Sequence, residues 1–325
     1  MTNKLSVKYI AMMLLLSLTL VACGNQTEKQ PENQKNESQT TEADANSQAS
    51  AVEKVEVTAL EWDATPELGL IKGDYFKEEE RFRQGHLASL EVVVNDGEFV
   101  KVEFNETGRP NYYIRYYQDV PKRLSEYNFS MGEAKGAAWI QGVIGVEQQM
   151  MENQALTGEF DVVSGASNSV NQAMLPLAEK IQNRLEEGST QKFYSIAEDL
   201  GGGLTGYLKV VVEDGNIISC RYDEIFAASP DQIEDPALKK HYRTSKYESV
   251  EYSEPSRIGF NVQMDALNEK VIETQDMLDL EGLPAIEATG DYGKSGYTER
   301  NTAWDNYLAL AEKLLAEMQA DQVIK

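Results

Sequence analysis

Residues 90–106, LEVVVNDGEFVKVEFNE, set β-branched and aromatic positions on either side of Asp96-Gly97. Two such runs around an Asp-Gly pair predict a β-hairpin. The pattern returns 118 residues later as LKVVVEDGNIISCRYDE (208–224), with seven of 17 positions identical. A second pair follows in the same order: MLPLAEKI (174–181) matches YLALAEKL (307–314). A hairpin at the start and a Leu-x-Leu-Ala-Glu-Lys helix at the end of each copy predict a tandem α+β fold. Each copy is expected to form a small antiparallel sheet packed with helices. The expected domains are 53–188 and 189–325, divided at the polar break Gly188-Ser189-Thr190.

Between hairpin and final helix, the first copy predicts a helix over about 136–151, with Ile140, Val143, Ile144 and Met151 on one side. LTGEFDVV (156–163) reads as a short buried strand. Val170, Met174, Leu177, Ile181 and Leu185 share one helical face, and Pro176 within it predicts a bend in the first turns. Ser167 or Ser169 is the expected N-cap. The glycine run Gly201-Gly202-Gly203 reads as a hairpin turn. It precedes a strand, whereas a dinucleotide fingerprint opens a helix.

The start of the chain has a different character. Lys4 and Lys8 precede an apolar run from Tyr9 to Ala22, too short for a spanning helix, which ends Leu-Val-Ala-Cys23. This resembles a bacterial lipoprotein signal. The resemblance implies removal of residues 1–22 and acylation of Cys23, with the lipid as the bond to the bilayer. Residues 23–52 are dominated by Gln, Asn, Glu, Ser and Thr and bury too little to fold. They read as a disordered tether spanning about 30 Å. Removal of residues 1–22 takes away two lysines and no acid, so the formal charge goes from −24 to −26. Such a surface repels nucleic acid and anionic lipid. With Cys23 acylated, Cys220 has no internal partner, and its apolar setting predicts an inert core thiol. His86 and His241 read as ordinary surface or rim histidines without metal-ligand spacing.

Residues 161–169, DVVSGASNS, form the junction into the final helix of copy one. A helix start offers free N–H groups to an anion, and Gly165 and Ala166 keep the loop slim. Serines and glycines are also the ordinary residues of turns and caps. The stretch resembles the covalent flavin-attachment motif Asp-x-x-Ser/Thr-Gly-Ala-Ser/Thr of the FMN-binding domain family. That family includes subunits of the sodium-pumping NADH:quinone reductase and of the Rnf complex, and two-domain surface lipoproteins of Gram-positive bacteria. The resemblance spans roughly residues 55–325. It implies that Ser167 carries FMN as a phosphoester, joined by an FAD-dependent flavin transferase that recognises Asp161, Ser164, Gly165 and Ala166. The acceptor is Ser here where the family usually has Thr; the nucleophilic oxygen is the same.

In copy two the corresponding stretch is TGDYGKSGYTERNTAWDN. Tyr297 stands where copy one has Ala166, and Asp291 lies four positions before Ser295 instead of three. Thr298 is therefore a possible second attachment site in a degenerate motif. Tyr112, Tyr113, Tyr116 and Tyr117, with Arg109 and Arg115, read either as edge packing or as a platform for an isoalloxazine ring.

The expected function is that of a membrane-anchored flavoprotein on the outer face of the cytoplasmic membrane of a Gram-positive bacterium. It would take electrons from a membrane NADH or quinol oxidoreductase and pass them to extracellular acceptors, with no substrate conversion of its own. The alternative is a cofactor-free binding lipoprotein that retains the fold. Leu15–Ala22 (LLSLTLVA) also resembles the octapeptide pheromones cut from lipoprotein signal peptides.

Overall fold

The computed structural model describes residues 62–112, 117–129, 138–253, 258–283 and 302–324. The Cys23 anchor, the tether, Tyr113, Arg115, Tyr116 and the Thr298 motif lie outside the described residues.

Strands β1 (Gly69–Phe82), β2 (His86–Asn95) and β3 (Glu98–Thr107) form one antiparallel meander, and β4 (Gln191–Gly201), β5 (Leu204–Glu213) and β6 (Asn216–Phe226) form another. The Asp-Gly turns are those expected: Asp96 and Gly97 take φ of 52° and 86°, and Asp214 and Gly215 take 52° and 80°. Both are left-handed positions, which Gly and Asp tolerate and which match the strand twist. The glycines 201–203 turn β4 into β5, all three at positive φ.

The two meanders are joined edge to edge. β1 pairs with β4 from Gly69↔Ala197 to Asp74↔Lys192, giving one six-stranded antiparallel sheet of order β3-β2-β1-β4-β5-β6. The repeats thus share a sheet within one compact unit, Val55–Lys325, whereas the sequence had suggested a small sheet for each. Strands β1 and β4 carry no alternating signal. Phe82 ends a run of KEEERF, and β1 is largely solvent-accessible along its second half.

Four helices cover one face of the sheet: α1 (Trp139–Asn153), α2, α3 (Phe260–Thr274) and α4 (Thr302–Ala320). Helix α2 runs as Ser167–Ser169, a π turn at Val170–Met174, and Leu175–Gln182. The expected bend at Pro176 takes this form. Pro176 has no N–H, and its ring crowds the carbonyl four residues back; the wider turn, with Leu175 N–H donating to Val170 O, makes room. Val170, Met174, Leu177 and Ile181 are fully buried beneath it.

In α1 the buried stripe is Trp139, Ile140, Val143, Val146 and Met150. Ile144 and Met151 are only partly buried at its margin, so the stripe is rotated from the expected one. Residues 156–163 form no strand. Val163 is 57% exposed, and the backbone at Asp161 pairs with a side chain: Asp161 N–H donates to Gln149 Oε1 at 2.8 Å, and Gln149 Nε2 donates to Asp161 O at 3.0 Å. The Gln149 carboxamide takes the place of a neighbouring strand.

The repeats match in detail beyond the strands. Gln154 caps α1 in the left-handed conformation and its carboxamide clasps Phe99, with 2.6 Å to Phe99 N and 3.2 Å to Phe99 O. Gln275 caps α3 in the same way and clasps Ile217 at 2.6 and 3.0 Å. Lys180 pairs with Glu80, and Lys313 with Glu198, 118 positions after Glu80.

Candidate functional site

Residues 161–170 lie at the N-terminal end of α2, against the side of α1. Gly165 has φ of 107°, a conformation that strains any side chain. Ala166 is fully buried and meets α1 where Gly142 has no side chain; a Cβ on Gly142 would stand 2.6 Å from Ala166 Cβ. Small residues at 142, 165 and 166 therefore let the loop lie flat on the helix. Asp161, Ser164, Gly165 and Ser167 are exposed along its outer side. Ser167 is the first helical residue and presents its hydroxyl outward.

Neither serine is an N-cap. The N-cap position is Ala166, with no side-chain hydrogen bond. Ser169 turns inward instead: its hydroxyl accepts from Trp139 Nε1 at 3.0 Å and donates to Glu106 Oε2. Glu106 is 2% exposed, yet it also receives the Lys122 ammonium and lies 3.1 Å from His86 Nδ1. Burial opposes its ionisation, but His86, Lys122 and Ser169 together hold it below the ordinary carboxylate range. Burial pushes Lys122 down against the pull of Glu106. His86 is thus a rim histidine, partly exposed, that reaches a buried polar network. His241 is also buried, stacked on Phe226 at 5.6 Å.

Around this network runs a chain of aromatic rings. Tyr112 contacts His86 and Tyr117 edge-on, both at 5.9 Å; Tyr117 contacts Tyr127 at 5.1 Å, and Tyr127 contacts Trp139 at 6.4 Å. The Lys122 ammonium sits 4.4 Å from the Tyr127 ring centre. Arg109 lies over Tyr112 at 5.3 Å, and its buried Nε has no hydrogen-bond partner among the described residues. The sequence singled out Arg109, Tyr112 and Tyr117. It missed Glu106, Lys122, His86, Tyr127 and Trp139, which lie far from the motif along the chain.

Repeat two builds the same pair with other surroundings. Glu224, equivalent to Glu106, receives Lys246 at 2.5 Å. Tyr222 OH and Asn306 Nδ2 donate to it at 2.8 and 3.0 Å, where repeat one has Ser169 and His86. Cys220 is fully buried, 3.7 Å from Tyr307 OH, and burial pushes its thiol up to about 12.

No protein-family model matches this chain, and no curated protein matches it. Among solved structures it is similar to the CPE2226 protein from Clostridium perfringens, at 26% identity over 36% of this chain and 91% of that one, with a TM-score of 0.29. Among the described residues no helix is long and apolar enough to cross a membrane.

Proposed function

We propose that this chain is an electron-carrying flavoprotein with FMN esterified to Ser167, held by acylated Cys23 to the outer face of a Gram-positive cytoplasmic membrane. The observation that carries the reading is the exposed Ser167 hydroxyl on a flat loop, in a Asp-x-x-Ser-Gly-Ala-Ser sequence. In the attachment step Ser167 Oγ bonds to the FMN phosphorus of FAD, the pyrophosphate P–O bond to AMP breaks, and the hydroxyl proton leaves. A flavin transferase catalyses it, reading Asp161, Ser164, Gly165 and Ala166.

The residues at hand fit such a group. Ser167 has no competing internal role, since Ser169 serves the network. The free helix N–H groups and the helix dipole favour a phosphate. Tyr112, Tyr117 and Tyr127 offer ring edges, and the orphaned Arg109 Nε offers a donor. The flavin, once attached, supplies the redox chemistry; the protein holds it, shields it and sets its surroundings. Electrons enter from a membrane NADH or quinol oxidoreductase and leave to extracellular acceptors. Both repeats belong to one FMN-binding-type architecture, with the degenerate Thr298 motif leaving repeat two without covalent flavin.

The test is coexpression with a flavin transferase, followed by in-gel flavin fluorescence, intact mass and peptide mapping. Ser167→Ala should abolish the covalent fluorescence, and Ser167→Thr should keep it. Full fluorescence in the Ser167→Ala protein overturns the assignment. A colourless parent protein after coexpression supports a cofactor-free binding lipoprotein.

A further inference from the structure

On the face of the sheet opposite the helices, the two repeats meet around a cavity of about 260 Å³. Glu91 and Glu103 border it from repeat one, and Tyr207, Lys209, Asp223 and Glu248 from repeat two. Lys209 and Arg123 in its wall are paired with carboxylates, and Arg221 is hydrogen-bonded to a tyrosine. Lys209 lies 3.2 Å from Glu91 and 4.0 Å from Glu103. Arg123 is held by Glu147 at 2.8 Å, and Arg221 donates to Tyr247 OH at 3.1 Å.

Two groups are left over. The Glu248 carboxyl has no hydrogen-bond or ion-pair partner among the described residues; Lys209 and Arg221 act on it from a distance. The Tyr207 side chain is 8% exposed, and its buried hydroxyl has no hydrogen-bond partner among the described residues. Asp223 stands behind Glu248 and adds a second carboxyl, braced by the N–H groups of Glu224 and Tyr247 at 2.8 and 3.0 Å. Repeat one has Asn105 and Leu124 at the places of Asp223 and Glu248, so these two acids are peculiar to repeat two, while Glu91 and Glu103 of repeat one are paired with Lys209.

We infer that this cavity binds a small organic cation, a primary ammonium whose N–H groups donate to Glu248, Asp223 and the Tyr207 hydroxyl. An unpaired carboxylate in a protein wall is costly, and a cation with several donors relieves that cost. Lys209 and Arg123 are already paired with carboxylates, and the exposed Arg221 is turned to the Tyr247 hydroxyl, which leaves the acids as the unmatched charges of the wall. Among the described residues no group of three or more His, Cys, Asp or Glu side chains is placed to hold a metal ion. The rings of Tyr207 and Tyr247 in the wall suit an alkylammonium. Burial and mutual repulsion raise both acids, Asp223 to about 7 and Glu248 to about 8, as expected where the charge has no counter-ion.

The site is independent of Ser167, and the test keeps the two apart. The full mature chain is titrated by calorimetry with n-butylamine and, separately, with 1-butanol, in two buffers of different ionisation enthalpy at pH 7. The amine should bind at least tenfold more tightly than the alcohol, with proton release that shows as buffer-dependent heat. Glu248→Gln should weaken amine binding at least tenfold and remove the proton release. Tyr207→Phe, which keeps the ring, should weaken it several-fold. Ser167→Ala should bind the amine as the parent does, whatever becomes of the flavin. Equal binding of amine and alcohol, or undiminished binding by Glu248→Gln, overturns the proposal. Glu248-dependent binding of calcium with none of the amine overturns it too.

Discussion

Glu91 and Lys209 occupy the same position in the two repeats, and their side chains meet at 3.2 Å. A duplicated chain folded about its own pseudo-twofold axis brings equivalent positions face to face. Identical charges there would repel; this chain has an acid in one copy and a base in the other. Neither side chain is more than 22% exposed, so solvent screens the pair weakly.

Glu91→Lys should therefore destabilise the protein by about 3–5 kcal/mol, the cost of breaking a buried pair and setting like charges together. Lys209→Glu should do the same. The double reversal should recover much of the loss, because Glu103 still faces a cation across β2 and β3. Urea midpoints of the four proteins give the coupling energy. Simple addition of the two single losses would show that the pair does not couple.

Ser167 and Ser169 should separate cleanly. Ser169→Ala strips Trp139 Nε1 of its acceptor and Glu106 of a donor inside the core, with an expected loss of about 1–3 kcal/mol. Ser167→Ala removes an exposed hydroxyl that caps nothing and should stay within about 0.5 kcal/mol of the parent. Thermal or urea unfolding reads both. A larger loss at 167 than at 169 would reverse the assignment of inner and outer serine.

Gly142→Ala should disturb the motif from across its packing contact. Its new methyl would stand 2.6 Å from Ala166 Cβ, so the loop must lift from α1. Overpacking of this kind costs about 1–3 kcal/mol. Under the proposed function it should also slow flavin attachment at an unchanged Ser167, read as the time course of in-gel fluorescence. Normal stability and normal attachment would mean that the loop is looser than its packing indicates.

Between pH 6.5 and 8, stability should fall as pH rises. Asp223 and Glu248 are raised in the folded state, so the folded protein binds more protons than the unfolded chain over this window. Their contribution is complete below the ordinary carboxylate range and is lost as pH passes about 7 and about 8. Glu103 and Glu91 are held low and act only at more acidic pH. His241, lowered by burial, acts below its ordinary value. The expected loss is roughly 1–3 kcal/mol across the window, from the 1.36 kcal/mol per pKa unit of a single group. Glu248→Gln should flatten the slope of urea midpoint against pH; an unchanged slope would place the titration elsewhere.

The duplication, both Asp-Gly hairpins, the inward face of α2 and the inert setting of Cys220 were legible in the sequence. Each is a local matter, decided by side-chain period and turn chemistry within about a dozen residues. The outward placement of Ser167 follows from the same stretch, since Val170 and Met174 fix which side of α2 faces the core. The tertiary structure decided what lies far apart in the chain. β1 and β4 lie outside the recognisable hairpin signal, and that they pair edge to edge from Gly69↔Ala197 to Asp74↔Lys192 is decided by the assembled sheet. Residues 156–163 have the composition of a strand, but they lie against α1, where the Gln149 side chain satisfies their backbone at Asp161. Ser169 reads as a cap until Glu106 and Trp139, 63 and 30 residues away, claim its hydroxyl. The unpaired Glu248 depends on which cations from other strands reach it. Hydrogen-bond partners and counter-charges are chosen by three-dimensional proximity, which no local pattern encodes.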